Sequence, residues 1–300
     1  MQSLGNFMLK GRLQAVGTVS LLAMSSLLLP PLAYIMSGVP ISLITLRKGP
    51  AYGMQVIIGA ALTTSFIAYF SNLGIATGPS FGLGIWSPVW LCSIVMRMTE
   101  SHSLTVLVAG ILGVIFVSIM RFFVVDMTVK WQMLLDEWVN NSLTIDGAEQ
   151  VRAVFDAALP LMNAIMASAL VVSIVITVLL GRWWQSNLFN PGGFRIEFYR
   201  LRLPKLLTIL VLICLIFSMT DLEGIKWVSN DVLIICIFLF IFEGISSVHR
   251  IVFARKMSRS WLVAMYSFLV IIPQMALFLS CLGMADSWIG GSKTQSGDAV

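Results

Sequence analysis

Charge is scarce in this chain of 300 residues: Asp, Glu, Lys and Arg make up 11% of it, against about 25% in a typical soluble domain. Apolar residues make up 58%, and the mean hydropathy is +0.93. One soluble domain cannot bury so much apolar surface, which argues against a soluble enzyme, a nucleic-acid binder and a disordered regulator. The composition predicts a polytopic membrane protein, in which the positions of the charges matter more than their net value of +5.

Cysteine is also rare, and catalytic motifs are missing. Cys92, Cys214, Cys236 and Cys281 all lie in apolar runs, without the spacing of a metal or redox site. Buried free cysteine behaves as a small hydrophobe, so we predict structural roles for all four. There is no Walker A loop, no HExxH, no GxSxG and no pair of carboxylates on one face of a span. We therefore expect no enzyme, no cofactor and no metal site.

Apolar runs that approach the roughly 20 residues needed to cross a bilayer recur from residue 51 onward. We predict seven spans there: Ala51–Phe70, Phe81–Met96, Leu104–Val125, Leu161–Leu180, Leu206–Met219, Val232–Val248 and Trp261–Leu282. The earlier run Leu13–Leu46 is too long for one span, and Pro30-Pro31 interrupts it. We predict a hairpin of Leu13–Leu29 and Leu32–Leu46. The predicted fold class is all-α, a polytopic transmembrane helical bundle of about nine spans.

The distribution of charge supports this number of spans and orients them. With the N-terminus inside, eleven of the fourteen acidic residues fall outside, and the inner segments contain fourteen of the nineteen basic residues. These basic residues are Lys10, Arg12, Arg47, Lys48, Arg97, Arg182, Arg195, Arg200, Arg202, Lys205, Arg250, Arg255, Lys256 and Arg259. A single span over Leu13–Leu46 would move Lys10 and Arg12 outside. We therefore predict an N-terminus inside and a C-terminus outside.

Two segments between spans stand out in what we predict to be a single integral membrane domain, residues 1–300. The outer loop 126–160 is predicted to be amphipathic, with a break at Asn140–Ser142. Its first apolar face has i, i+3, i+4, i+7 spacing and consists of Trp131, Leu134, Leu135 and Trp138. This loop either lies in the headgroup region or caps the mouth of the bundle. The inner loop 181–205 is basic, as expected of a cytoplasmic loop that anchors to anionic headgroups.

Two ionisable residues inside predicted spans are the first candidates for function, because charge is costly there. Glu243 could be a proton- or cation-linked site, or the anchor of a cationic ligand. The alternative is a Glu near the inner end of its helix, protonated or paired with Arg250. Arg121 could contact an anionic substrate, but pairing with Asp126 or snorkelling is the favoured interpretation.

The uncharged segment Ser71–Ser87 is rich in glycine and small polar residues. Transporters often build sites from such interrupted segments at membrane depth, although the same glycines could serve only for close helix packing. The predicted walls of a substrate cavity are Glu243, Asn72, Ser87 and Arg121.

Several short motifs resemble the YybS-like family of uncharacterised bacterial membrane proteins. They are the run Pro40–Gly49, Phe194-Arg195, Leu203-Pro204, Glu243-Gly244 and Leu282–Trp288. That family is distantly similar to the substrate-capture (S) subunits of energy-coupling-factor vitamin transporters, which have fewer spans and share a proline-led helix followed by a glycine. The resemblance implies a protein of the bacterial cytoplasmic membrane. A glutamine at the position of Glu243 in relatives argues against proton coupling there.

We expect a non-enzymatic transporter or substrate-binding membrane subunit for an unidentified small solute. Its expected partners are the lipid bilayer, the solute, and a separate energising ATPase or a second copy of the chain, and not nucleic acid. The alternative is a membrane scaffold or assembly factor. A deep cavity lined by Asn72, Ser87 and Glu243 would favour transport, and a solid bundle with an exposed apolar groove would favour a scaffold.

Overall fold

The computed structural model describes residues 2–26, 32–124, 127–142 and 145–290. In these residues every regular element is helical and no strand occurs. The helices are α1 (Gln2–Lys10), α2 (Arg12–Ser26), α3 (Ala33–Lys48), α4 (Pro50–Phe70), α5 (Thr77–Phe81), α6 (Ser87–Thr99), α7 (His102–Phe123), α8 (Met127–Ser142), α9 (Ile145–Ala158), α10 (Met162–Phe189), α11 (Gly193–Tyr199), α12 (Lys205–Ser218), α13 (Glu223–Ala254), α14 (Ser260–Ile271) and α15 (Gln274–Gly290). A π-helical turn (Gly82–Trp86) and a 3₁₀ turn (Leu159–Leu161) precede α6 and α10.

Five stretches of the described residues are long and apolar enough to cross a membrane, which confirms a helical membrane protein. They are Pro50–Phe70, Thr77–Thr99, His102–Phe123, Val151–Phe189 and Gly224–Ala254. The apolar helices α12 and α14 are shorter.

The chain divides into two compact units. Unit 1 comprises Met1–Ala109, Val172–Leu203 and Leu239–Val300, and unit 2 comprises Gly110–Val171 and Pro204–Phe238. In unit 1, α2 packs against α3 and α4 around buried Ile41, Ile44, Val56 and Trp86. This packing agrees with the predicted N-terminal hairpin, whose Pro30-Pro31 turn lies outside the described residues.

The turn from α3 to α4 is tight. Gly49 has a φ of +102°, a conformation that favours glycine, and Pro50 begins α4. Pro40, however, lies inside α3, so the proline-led helix that the resemblance implied is wrong.

The last predicted span, Trp261–Leu282, is also wrong as a single helix. Helix α14 ends at Ile271, and Ile272 is extended, with a φ of −118° and a ψ of 97°. The proline ring of Pro273 disfavours helical backbone at the preceding residue, and α15 begins after it. Since α14 and α15 pack against each other, they form a hairpin in place of one crossing.

In unit 2, α8 and α9 form a second pair of packed helices. Helix α8 ends at Ser142 and α9 begins at Ile145, so the two helices are separate, and α8 extends to the last residue of the break predicted at Asn140–Ser142. Leu135 and Val139 are buried, and the rings of Trp138 and Phe155 lie 6.4 Å apart. The apolar face of α8 is therefore partly covered by the chain itself.

Candidate functional site

Unit 1 contains a short buried stretch without helical structure, Leu201–Leu203, which follows α11. The side chains of Leu201 and Leu203 are 1% and 3% exposed. Backbone N–H and C=O groups removed from water need partners, and non-helical backbone at membrane depth is tolerated where protein buries it. The partners of this stretch therefore indicate which side chains the fold depends on.

In this stretch the N–H of Leu201 bonds the carbonyl of Phe198, that of Arg202 bonds Oγ of Ser103, and that of Leu203 bonds a side chain of α13. One face of α13 also supplies partners to the end of α11. Glu243, Ser246 and Arg250 share that face, at i, i+3 and i+7. Their bonds are the N–H of Leu203 to Oε2 of Glu243 at 3.1 Å, Oγ of Ser246 to the carbonyl of Phe198 at 2.8 Å, and Nη1 of Arg250 to the carbonyl of Tyr199 at 2.9 Å. The face thus fastens the end of α11 and the stretch that follows it.

Helix α15 contacts α13 beside the same face, through two glycines. A Cβ added at Gly244 would collide with the carbonyl of Leu279, and one added at Gly283 would collide with the carbonyl of Phe240. The two backbones therefore touch, as small residues permit at helix crossings in membranes. This crossing brings the end of α15 next to Arg250.

Asp286 of α15 is the acidic partner of the basic residues in this network. Its Oδ2 lies 2.5 Å from Nη2 of Arg250 and 3.4 Å from Nε of Arg202. The predicted pairing of Arg250 with Glu243 is therefore wrong. A single crossing from residue 261 to residue 282 would have carried Asp286 to the face opposite Arg250, and the observed ion pair rules out that arrangement.

Glu243 is fully buried, at 0% exposure, and lies three helical turns before the end of α13. It is not the residue near a helix end that the structural interpretation assumed. Its Oε2 binds a backbone N–H, whereas its Oε1 has no hydrogen-bond partner among the described residues. A carboxylate that has one oxygen in a hydrogen bond and the other without a partner can take up a proton or coordinate a cation.

Arg121 lies in unit 2, whereas Glu243 belongs to unit 1. Its Nη2 is 2.6 Å from Oδ2 of Asp231, and its guanidinium lies over the ring of Trp227, 5.3 Å from the centroid. Arg121 therefore has an acidic partner, as the favoured interpretation held, but a distant one in sequence. The predicted partner, Asp126, lies outside the described residues.

Asn72 and Ser87 are not bonded to Glu243 in the described part of the chain. Asn72 is exposed in the turn after α4, with a φ of +58°. Ser87 begins α6, and its Oγ donates to the carbonyl of Gly82 at 2.7 Å, across the π-helical turn. Gly78 of the same segment touches the backbone of Ala61 in α4, which supports the packing interpretation at that position.

Two open cavities among the described residues lie in unit 1, and neither of these two is lined by Asn72, Ser87 or Glu243. The first, of about 260 Å³, is polar and is lined by Leu46, Met96, Arg97, Glu100, Arg182 and Gln185. The second, of about 220 Å³, is apolar and is lined by Leu4, Leu22, Ile35, Met36, Val39, Pro40, Leu180, Trp183 and Trp184. The sequence did not single out the residues of the polar cavity, because basic residues at the ends of spans served only to set topology.

Beside the polar cavity, an ion pair joins α10 to α11. Arg182 contacts both carboxylate oxygens of Glu197, Nη2 to Oε1 at 2.6 Å and Nε to Oε2 at 2.9 Å. Burial would raise the pKa of Glu197, but the hydrogen bonds and charge of Arg182 outweigh it and hold the pKa below its ordinary value. Both residues are therefore charged at neutral pH.

Apolar helices long enough to span a membrane, a buried Glu within one of them and a partly exposed charged network beside it are typical of a helical integral membrane protein. The chain belongs to the family described as "Predicted membrane protein (DUF2232)", whose model matches residues 18–287. The match includes every residue of the Glu243 network. No curated protein and no solved structure gave a match.

Proposed function

We propose that this protein is a small-solute transporter or a substrate-binding membrane subunit, without catalytic activity of its own. The observation that carries the proposal is the buried Glu243, which fastens the non-helical stretch Leu201–Leu203 through one carboxylate oxygen and keeps the other free. Ionisable residues at membrane depth generally mark solute or ion pathways. Transporters likewise place their sites where helices are interrupted.

The network offers a physical link between occupancy and conformation. The charged groups that act on Glu243 are Asp286, Arg250 and Arg202. A proton or cation that binds Glu243 changes the charge balance of this set and weakens its hold on the N–H of Leu203. The stretch after α11 is thus the element whose position would follow the state of Glu243.

The narrower identity is part of the same proposal. We place the chain near the YybS-like proteins and, more distantly, the S subunits of energy-coupling-factor transporters. On this proposal it lies in a bacterial cytoplasmic membrane. Energy comes from a separate ATPase that docks on the basic loop 181–205, or the chain works as a homo-oligomer.

The proposed orientation has the N-terminus and the basic loops inside. The hairpin of α14 and α15 replaces the last of the nine predicted crossings, so we propose about eight. It places Asp286 beside Arg250 and puts the end of α15 inside, where an outer C-terminus was predicted. We therefore propose that residues 200, 250 and 286 lie at the same, inner face.

Cysteine labelling in intact cells tests this orientation. Cys281 is exposed and is first replaced by Ser, whereas the other three cysteines are buried. We expect Asp146→Cys to react with an impermeant maleimide from outside, and Arg200→Cys and Ile289→Cys to react only after the cells are opened. Labelling of Ile289→Cys from outside would contradict the amended orientation.

Small molecules that co-purify with the protein test the function. Wild type, Glu243→Gln and the control Asp221→Asn, an exposed acid distant in sequence, are purified in the same detergent and denatured, and the released molecules are identified by untargeted mass spectrometry. We expect one solute enriched in wild type and control and reduced at least tenfold in Glu243→Gln. Glutamine keeps an oxygen for the N–H of Leu203, so folding, checked by gel filtration, should survive. Equal retention by all three proteins would contradict the role of Glu243, and no enrichment would contradict solute binding.

The scaffold is the second candidate, and the α8–α9 pair favours it. Met133, Leu134, Trp138 and Val154 of this pair are exposed apolar side chains. A scaffold would retain a partner protein in stoichiometric amount through these residues and no small solute. The same purification, analysed for proteins as well as small molecules, therefore separates the two candidates.

A further inference from the structure

The polar cavity of unit 1 lies where two helices end. Leu46 is in the last turn of α3, Arg97 is in the last turn of α6, and Glu100 follows α6, while Arg182 and Gln185 of α10 form the other wall. Its volume of about 260 Å³ corresponds to about nine water molecules at ~30 Å³ each. The space is therefore sufficient for a small polar group.

Arg97 provides an exposed positive charge that no acidic group of the described residues pairs with. Its Nη1 donates to the carbonyl of Leu46, one of the carbonyls left free at the end of α3. No carboxylate of the described residues lies within ion-pair distance of it. A guanidinium has five N–H groups, so most of those of Arg97 remain available while the Leu46 carbonyl holds the group in place.

Glu100 provides a negative charge in the same cavity. It has a φ of +51° at the end of α6, a position where glycine is usual, and its backbone N–H donates a hydrogen bond to the carbonyl of Met96. Within the described chain its carboxylate has no cationic partner at ion-pair distance. The left-handed backbone thus carries a charged side chain that the fold does not otherwise use.

The opposite wall is already neutral. Arg182 is paired with Glu197 and also donates to Oε1 of Gln185 at 2.5 Å. The charges that remain are one guanidinium and one carboxylate, three residues apart at one helix end and hence on neighbouring positions. An anion alone would meet the carboxylate, and a cation alone would meet the guanidinium.

We propose that this cavity binds a small zwitterion, with its phosphate or carboxylate on Arg97 and its ammonium on Glu100. The inference goes beyond the proposed function, because it assigns a binding site apart from Glu243 and names the chemical class of its ligand. This chemistry has two sources, a soluble aminoalkyl phosphate or amino acid and the headgroup of phosphatidylethanolamine.

Calorimetry on delipidated protein in detergent tests the soluble source, with phosphoethanolamine as the probe and methyl phosphate and ethanolamine as its two halves. We expect phosphoethanolamine to bind at least tenfold more tightly than either half. Glu100→Gln should lower its affinity to that of methyl phosphate, and Arg97→Gln should lower it to that of ethanolamine. The controls are Asp221→Asn and Arg259→Gln, which remove exposed charges that do not line the cavity.

Native mass spectrometry of protein from nanodiscs with equal phosphatidylethanolamine and phosphatidylglycerol tests the lipid source. Selective retention of phosphatidylethanolamine that Arg97→Gln and Glu100→Gln abolish, without binding of free phosphoethanolamine, assigns the site to a lipid headgroup. Binding of phosphoethanolamine that both variants weaken assigns it to a soluble zwitterion. The proposal is overturned if neither is bound, or if both variants bind as wild type does.

Zwitterion binding in the cavity and solute binding at Glu243 are tested by different variants. Glu243 does not line the cavity, so the co-purification experiment with Glu243→Gln reports on transport independently of Arg97 and Glu100. A solute that is lost from Glu243→Gln but retained by Arg97→Gln and Glu100→Gln would support the proposed function, whatever the calorimetry shows for the cavity.

Discussion

The two units of this protein bury charge in different ways. In unit 2, Nε and Nη2 of Arg121 both contact Oδ2 of Asp231, and these two side chains neutralise each other. In unit 1, Arg250 and Arg202 share Asp286, while Arg250 and Glu243 also bind backbone groups beside α11. The first arrangement joins side chains only, and the second also determines the path of the backbone.

This difference sets what each arrangement can do. A buried pair of side chains can be replaced by apolar residues at little cost, whereas removal of one partner strands a charge. A network that holds non-helical backbone has no apolar substitute, because the backbone groups would lose their partners. Unit 1 is therefore where a change of charge can move the chain.

The largest effect is expected in unit 2. Asp231→Leu leaves Arg121 without its partner, and removal of one member of a buried pair costs about 3–5 kcal/mol. We expect the lower end of this range, because the side chain of Arg121 is 21% exposed. Unfolding in mixed micelles measures the loss. The double variant Arg121→Leu/Asp231→Leu should recover most of it, and a double variant as unstable as Asp231→Leu would show that the pair does more than neutralise charge.

A substitution at the crossing of α13 and α15 in unit 1 should lower the free energy of unfolding nearly as much. Gly244→Val places side-chain atoms against the carbonyl of Leu279, and overpacking costs about 1–3 kcal/mol. We expect about 3 kcal/mol, because a backbone carbonyl cannot move aside as a side chain can. Gly224→Val in the same helix is the matched control, since a Cβ there meets open space. Similar losses in both variants would refute the close crossing.

Asp286→Asn should lower the free energy of unfolding by less than Asp231→Leu does. Arg250 keeps the carbonyl of Tyr199 and Oγ of Ser247, so the loss is that of charged hydrogen bonds, about 2 kcal/mol. The double variant Asp286→Asn/Arg250→Gln should be no more stable than Asp286→Asn, because the carbonyl of Tyr199 then loses its donor. If this double variant regained stability, the unit 1 network would act only by neutralising charge, as the pair in unit 2 does.

The smallest effect concerns pH. Because the folded-state pKa of Glu197 is depressed, its contribution to stability is present above the ordinary value of 4.5 and is lost as pH falls through the lower, folded value. Hydrogen exchange of α11, corrected for intrinsic rates, should show weaker protection when the pH is lowered below that range. Glu197→Gln should show the weaker protection already at neutral pH. An unchanged response to acid in Glu197→Gln would assign the effect to another group.

Five of the predicted spans correspond to stretches that can cross a membrane, because an apolar run of sufficient length is a local property of the sequence. The break at Pro273 was missed because apolar residues flank it on both sides and leave the hydropathy high. Helix α13 extends beyond its predicted bounds because polar residues at the ends of a long helix look like loops in a hydropathy profile.

The site depended on contacts that no local pattern contains. Glu243 was identified from its position inside a span, but its partner is the backbone of Leu203, 40 residues away. Asp286 was counted among the outer charges, because the hairpin of α14 and α15 is invisible in the composition. Arg97 and Glu100 looked like ordinary residues at the end of a span, and only the cavity beside them gives them another meaning.

The order of the paired residues along the chain has a consequence for biosynthesis. Arg202 and Arg250 are synthesised well before Asp286, which neutralises them. Until α15 is made, the face of α13 that carries Arg250 has no acidic partner from that helix. The network that holds the end of α11 is therefore completed only after translation has passed residue 286.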